Sequence, residues 1–306
     1  MTSRPAGPHE PAEHPVLAPS RLIFDSLGIV VDPVALVVMA SGVRYADPSR
    51  RTTDEFGGFD AAFDLFEAAG FNCEQYRSVD AGIFLQAARR EHDLAERRWR
   101  AIPFWSFWSP WSAAVGRSGS RAYPPVLPVA LSAFDDDSVR VTSVTGDRRV
   151  DFEELTAAPQ RVWGYAAPVP SLRAIIAPSR YDMTPRAERS LRLLLRRMAV
   201  AADGLPSLEA FLDSSPGPAA IEEYRRIVAQ ASAGDSTFAR STLAEAIERY
   251  GHGAVGDEVR AEFARSAELH RAFLDDDDDP ALRETAVVER RALRIAAGGF
   301  GAEAVA

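Results

Sequence analysis

The spacing of apolar positions changes character once along this chain, near residue 185. Before that point short alternating or continuous apolar runs are mixed with helical stretches. Beyond it, apolar residues recur every three or four positions as far as residue 297. In the first part the pattern predicts helices over 21–27, closed by Gly28, and over 33–41. A third is expected over 59–69, where Phe59, Phe63, Leu65 and Phe66 have helical spacing before Gly70. A short edge strand is expected at 72–76. A longer helix at 81–98 carries Ile83, Phe84, Leu85 and Leu94 on its apolar side and an Arg/Glu-rich outer face. Residues 102–108 read as a strand that runs into a Ser/Pro/Gly-rich loop over 109–125.

Residues 127–155 carry the clearest strand signal. An apolar run over 126–134 meets an acidic turn, Asp135-Asp136-Asp137. A period-two strand with Val139, Val141 and Ser143 then leads to a second turn at Thr145-Gly146-Asp147. The pattern predicts a short antiparallel meander. A brief helix over 152–157 with Asp151 as its N-cap, and strands at 162–166 and 172–177, complete this part.

In the second part helices are expected at 186–203, stopped by Gly204, and at 207–212, 218–231, 236–250, 257–274 and 280–296. The acidic run 275–279, closed by Pro280, reads as a solvated loop, because a calcium loop would need a central glycine and spaced oxygen ligands. The organisation expected is a flexible arm over 1–13, a mixed domain over 14–180, an all-helical domain over 185–297 and a flexible tail over 298–306. The fold class is α+β.

Composition narrows the chemistry. With 306 residues, 46% hydrophobic and 26% charged, the chain can bury a core of about two ordinary domains. All 35 basic residues are arginine, so no Schiff-base lysine, phosphate-loop lysine or lysine general base can operate. The single cysteine, Cys73, excludes an internal disulfide and any multi-cysteine zinc site, as suits a reducing cytosol. A net charge of -9 without a basic block argues against a nucleic-acid partner. No apolar run approaches the roughly 20 residues that span a bilayer, and 1–19 has no apolar signal core. A cytoplasmic protein with no membrane partner is expected. No cofactor is expected either: Gly57-Gly58 and Gly298-Gly299 form no nucleotide fingerprint. Gly116-Arg117-Ser118-Gly119 likewise lacks the strand-turn-helix setting of a nucleophile elbow.

Five histidines could serve as general bases. His9 and His14 lie in the proline-rich arm. His92, between Glu91 and Asp93, reads as solvated on a charged helix face, and His252 sits in the turn Gly251-His252-Gly253. His270 shares a face with Val259, Phe263 and Phe273 and reads as a satisfied core or interface histidine. Six large rings, Trp99, Phe104, Trp105, Phe107, Trp108 and Trp111, crowd one short span. Two readings stand for them, core packing or the walls of an apolar pocket.

Taken together, the helical first portion, the strand at 103–108, the meander and Asp151-Phe152-Glu153-Glu154-Leu155 resemble the BtrH-like family. That family is the N-terminal domain of the butirosin-pathway acyltransferase and is related to papain-like C39 peptidases. The helical half resembles the domain that usually follows it. Gly204-Leu205-Pro206-Ser207-Leu208 is similar to its Gly-Leu-x-x-Leu turn, and Phe238-Ala239-Arg240 to its Phe-Arg helix start. The resemblance implies a papain-like, C39-like domain with a small antiparallel sheet followed by the helical domain. It also implies an acyl substrate delivered on the phosphopantetheine arm of a carrier protein.

Carried over residue by residue, the resemblance implies that the reactive groups are missing. His14-Pro15 matches the family's His-Cys and puts proline at the nucleophile. Ala133-Phe134-Asp135 matches Gly-Tyr-Asp and sets Leu127 near the expected histidine, while Ser143 stands where the orienting aspartate should be. A thiolate mechanism needs all three groups. The expectation is a diverged acyltransferase-family protein of bacterial specialised metabolism, in the setting of antibiotic or other natural-product biosynthesis. It would bind an acyl or aminoacyl intermediate in an aromatic cleft. Candidate catalytic residues are His14, Tyr123, Ser143 and Asp147, and candidate pocket walls are Trp105, Trp108 and Trp111. A noncatalytic pseudoenzyme that scaffolds a partner enzyme or an acyl carrier protein, and a cyclase that shapes a reactive substrate, stay open. So does a homodimer. The arginines Arg89, Arg90, Arg97 and Arg98 read either as a solvated helix face or as a surface for an acidic carrier.

Overall fold

A computed structural model describes residues 17–40, 65–98, 104–108, 127–143, 146–157, 163–169, 178–201, 204–231, 236–251, 254–276 and 278–300. It is a mixed helix and antiparallel-sheet fold. Helix α1, Leu17–Ser26, starts four residues before the expected 21, because Pro19 falls in the first turn, where no intrahelical N–H is required. Gly28 follows at φ 69, the left-handed conformation that closes a helix. Helix α2, Pro33–Met39, has Pro33 in its first turn and Asp32 as N-cap, whose carboxylate accepts from Val34 N at 3.1 Å. Every residue from Val34 to Met39 is buried, so α2 is a core helix enclosed on all sides.

Strand β1, Asn72–Ser78, runs two residues beyond the expected 72–76. Helix α3, Ala81–Arg98, matches its prediction in extent, but Ile83, placed on the apolar side, is 53% exposed while Phe84 is fully buried. Then come β2, Phe104–Trp108, β3, Leu127–Ser132, β4, Ser138–Ser143, β5, Gly146–Asp151, helix α4, Phe152–Thr156, and β6, Trp163–Val169. Asp151 occupies the N-cap of α4 with extended backbone, yet its side chain makes no capping hydrogen bond, contrary to the role expected of it. The strand expected at 172–177 lies outside the described residues, as do residues 59–64 of the third predicted helix.

The strands form one six-stranded antiparallel sheet in the order β1-β6-β2-β3-β4-β5. Strands β3 to β5 are the predicted meander in sequence order, β2 pairs with β3 at its side, and β6 inserts between β1 and β2. One side of the pleat carries Val129, Leu131, Val139, Val141 and Val150. These pack with Phe84, Leu85 and Ala88 of α3 and with Leu155 and Tyr165. Ala130 and Thr142, paired across β3 and β4 on the other side of the pleat, are also buried, and α1 lies against these two strands.

The helical half comprises α5, Thr184–Val200, α6, Leu205–Asp213, α7, Pro218–Ala231, α8, Ser236–Tyr250, α9, Ala254–Asp275, and α10, Asp279–Phe300. Helices α7 and α8 have the predicted bounds. Gly204 does not stop α5, which ends at Val200; it is the N-cap of α6 instead. A Cβ at Gly204 would lie 2.5 Å from the Met198 carbonyl oxygen, so the chain reverses there only around a glycine. Helix α10 continues to Phe300, past the expected start of a flexible tail at 298. Among the described residues no helix is long and apolar enough to cross a membrane.

Two hydrophobic clusters organise the interior. The smaller joins the sheet to α3. The larger joins α5, α6, α8, α9 and α10 to α1, α2 and residues 65–71, through side chains such as Phe24, Leu36 and Phe66. The first two helices, counted from sequence with the 14–180 unit, therefore share their core with the C-terminal helices. Asp32 reinforces this joint: its carboxylate accepts from Arg249 Nη1 and Tyr250 Oη of α8, each at 2.6 Å. These hydrogen bonds hold the Asp32 carboxyl below its ordinary range against the opposing effect of burial.

Candidate functional site

Two of the three positions that the resemblance singles out lie on neighbouring strands of the sheet. Pro15 and His14 precede α1 by a few residues and lie outside the described residues. Helix α1 itself lies against β3 and β4, which carry Leu127 and Ser143. Leu127 opens β3 and pairs with Trp108 of β2, so one predicted pocket-wall position is directly across the ladder from the predicted histidine position. Trp105, on the same strand, pairs with Ala130 of β3 and Ala166 of β6 in the middle of the sheet. Ser143 ends β4 and pairs with Gly146. Tyr123 and Trp111 lie outside the described residues.

At the first position of the Gly-Tyr-Asp match that the resemblance implies, Ala133 has φ 48, a left-handed conformation. A glycine adopts that backbone without steric cost, whereas an alanine is strained there by about 1–2 kcal/mol. The acidic turn that follows is tied down on both sides. Asp135 pairs with Arg149, Asp136 accepts from Arg89 of α3 at 3.2 Å, and the Asp137 carbonyl accepts from Phe152 N at 2.8 Å. Arg89, offered above as solvated or partner-facing, thus ties α3 to the meander.

Asp147 lies on β5 opposite Thr142, and its carboxylate pairs with the Arg140 guanidinium of β4. The carboxyl is held below its ordinary range, first by the Thr142 hydroxyl facing it across the ladder and then, against some burial, by Arg140. Thr142 Oγ1 stops short of hydrogen-bond geometry, so its effect is that of a nearby dipole. An aspartate kept ionised in this way accepts hydrogen bonds and holds a cation, whereas a general base poised near neutrality wants a raised value.

The other two reactive groups the sequence drew attention to are muted by burial. Cys73, on β1 opposite Pro168, is half-buried. Its thiol is pushed up to about 12, by burial first and by the neighbouring Glu74 carboxylate second. His92 is not solvated: it is 3% exposed, with its ring 5.1 Å from that of Phe134 and its Nδ1 3.9 Å from Asp93 Oδ1. The helix places His92 on the same face as Leu85 and Ala88.

A separate polar cluster lies inside the helical half. Arg240 of α8 donates from Nε to Glu289 Oε1 of α10 at 2.5 Å, and the Ser266 hydroxyl of α9 donates to the same oxygen. One turn along α9, His270 is buried and neither ring nitrogen has a hydrogen-bond partner among the described residues. The sequence reading of a core histidine fits; the expectation that it is satisfied does not. Burial drives its pKa well below 6.5, and the Arg240 charge adds to this, so the imidazole is neutral. Of this cluster sequence reading singled out Arg240 as a motif residue and His270 as a core residue but missed Glu289 and Ser266. The signal was present. Glu289 continues the α10 stripe of Leu282, Thr285, Ala286, Ala292, Leu293 and Ala296, all buried.

Among the described residues, no group of three or more His, Cys, Asp or Glu is placed to hold a metal ion. No protein-family model matches the chain, and no curated protein matches it.

Proposed function

We propose that the chain is a diverged, BtrH-like protein of papain-like descent that binds an acyl or aminoacyl intermediate of specialised metabolism without a cysteine nucleophile. The observation that carries this reading is the packing of α1 against β3 and β4. A helix whose start would carry the nucleophile is thereby set beside the two strands that would carry the base and its orienting group. The left-handed Ala133, at the position of the family's glycine, supports the same match. With proline, leucine and serine at the three positions and Cys73 pushed up to about 12, thioester exchange onto the protein has no nucleophile among these groups. Any chemistry rests on positioning the bound acyl group and on hydrogen bonding.

The test is incubation of the full chain with an acyl-pantetheine thioester, read by equilibrium binding and by intact mass. Saturable binding that weakens in Trp108→Ala, with no mass increase, is expected. An acyl adduct on the protein, or no binding, overturns the proposal. The ion-paired Asp147 favours, as a second reading, a noncatalytic scaffold for a carrier protein or partner enzyme. That reading predicts binding without turnover when an amine acceptor is added.

A further inference from the structure

Two guanidiniums among the described residues sit over aromatic rings. Arg225 of α7 lies 4.8 Å from the Phe273 centroid, and Arg186, in the first turn of α5, lies 5.4 Å from that of Tyr181. Arg225 is also paired with Glu222 and Asp279 and donates to the Phe273 carbonyl. Arg186 is partly exposed and makes no hydrogen bond or ion pair among the described residues. Its seat is nonetheless fixed. Residues 65–69 close with Phe71 N donating to Phe66 O at 2.8 Å and Gly70 in the left-handed conformation, φ 75. A Cβ at Gly70 would lie against Arg186 Nη1 and 2.6 Å from both Cζ and Nη2, spacing that sets the flat face of the guanidinium on the glycine. Tyr181 is anchored in turn, its hydroxyl donating to the Ala69 carbonyl and its ring 5.7 Å from that of Phe71. This seat occupies the face of the guanidinium and leaves the N–H groups, which lie in its plane, without acceptors. Asp182, the nearest carboxylate before it in sequence, accepts from Thr184 N at 2.9 Å, and Glu188 is engaged elsewhere. The first turn of α5 is also the positive end of that helix, which favours an anion beside it.

We propose that Arg186 is the receptor group of an oxyanion site and takes a phosphate or carboxylate group of a small ligand on its open edge. That edge presents parallel N–H groups at the spacing of two oxygens of a carboxylate or phosphate. Held flat by Gly70 and Tyr181, the side chain has little freedom left to lose on binding. A ligand oxyanion supplies the counter-charge that Glu222 and Asp279 supply to Arg225. If Arg186 only covers Gly70, the protein has no specific response to anions there. The proposal is independent of acyl binding.

The probe is inorganic phosphate, with acetate in a parallel titration, added to the isotope-labelled full chain at constant ionic strength. NMR follows the Nε–H resonance of Arg186 beside that of Arg271, which is exposed and also makes no ion pair among the described residues. The Arg186 resonance should shift saturably with phosphate, acetate or both, while that of Arg271 does not. A larger response to phosphate identifies a phosphorylated ligand, and a larger response to acetate a carboxylic acid. Arg186→Lys keeps the charge and loses the fork, so affinity read at the backbone amides of Gly70, Phe71 and Thr184 should fall at least about tenfold. Shifts at Arg186 that are absent or no greater than those at Arg271, or unchanged affinity in Arg186→Lys, overturn the proposal. The parent titration decides the matter even where the variant does not fold.

Discussion

Arg240 and Glu289 form an ion pair in a core that excludes water: the guanidinium Nε lies 2.5 Å from the carboxylate, and the side chains are 2% and 0% exposed. Each charge is tolerable only because the other is there. Arg240→Met or Glu289→Leu alone should therefore destabilise the protein by about 3–5 kcal/mol. The double variant should recover most of that loss, because two apolar side chains of similar volume need no counter-charge. Chemical denaturation of the two singles and the double closes the cycle. A double variant no more stable than the worse single would show that the pair does not act as a unit.

His270 gives the helical half a pH dependence of known sign. Its folded pKa is depressed well below 6.5 by burial and by the Arg240 charge. The unfolded chain therefore takes up a proton near pH 6.5 while the folded chain does not. Stability contributed this way is fully present above about 6.5 and falls as pH drops below it, at up to about 1.4 kcal/mol per pH unit. His270→Leu should flatten the stability profile between about pH 6.5 and 5 relative to the parent. Loss of stability from Asp32, whose carboxyl is depressed, enters only below its ordinary value of 3.8 and is a separate window. A variant with an unchanged slope would mean that His270 titrates in the folded protein.

The helical half was readable because its signals are local. Pro218 opens α7, Ser236 opens α8, and the apolar stripes run unbroken between. The meander was readable for the same reason, since each turn joins neighbouring strands. The insertion of β6 between β1 and β2 was not, because it joins residues about ninety apart on one side and about sixty apart on the other, with no turn between them to announce it. Nor was the docking of α1 and α2 onto the C-terminal helices, which depends on Asp32 meeting Arg249 and Tyr250 across 217 and 218 residues. His92 was misread from its charged neighbours in sequence. Leu85, Ala88 and His92, spaced by three and four, already placed it on the buried face. The strand positions of Leu127 and Ser143 were legible, and the packing of α1 beside those strands was not.

Ala133 should be improved by a smaller residue. It is exposed and holds φ 48, so its Cβ contributes strain and little packing. Ala133→Gly removes about 1–2 kcal/mol of that strain and returns roughly half of it through the greater freedom of the unfolded glycine. A net gain of about 0.5–1 kcal/mol is expected, seen as a rise in Tm. A loss instead would mean that the turn before Asp135 does not hold the left-handed conformation in solution.

Cys73 supplies the sharpest chemical contrast with a thiol enzyme. With its thiol raised to about 12 by burial and Glu74, only a minute thiolate fraction exists at pH 8. Alkylation by iodoacetamide in the folded protein should be slower than that of a free cysteine by more than about a hundredfold. It should speed up on unfolding, when both the burial and the fixed Glu74 contact are gone. Cys73→Ala should leave thioester binding unchanged, since β1 is an edge strand and Cys73 pairs there with Pro168, away from β3 and β4. Fast, stoichiometric labelling of the folded chain at pH 7, together with loss of binding in Cys73→Ala, would restore cysteine chemistry and remove the basis for reading this protein as one that works without it.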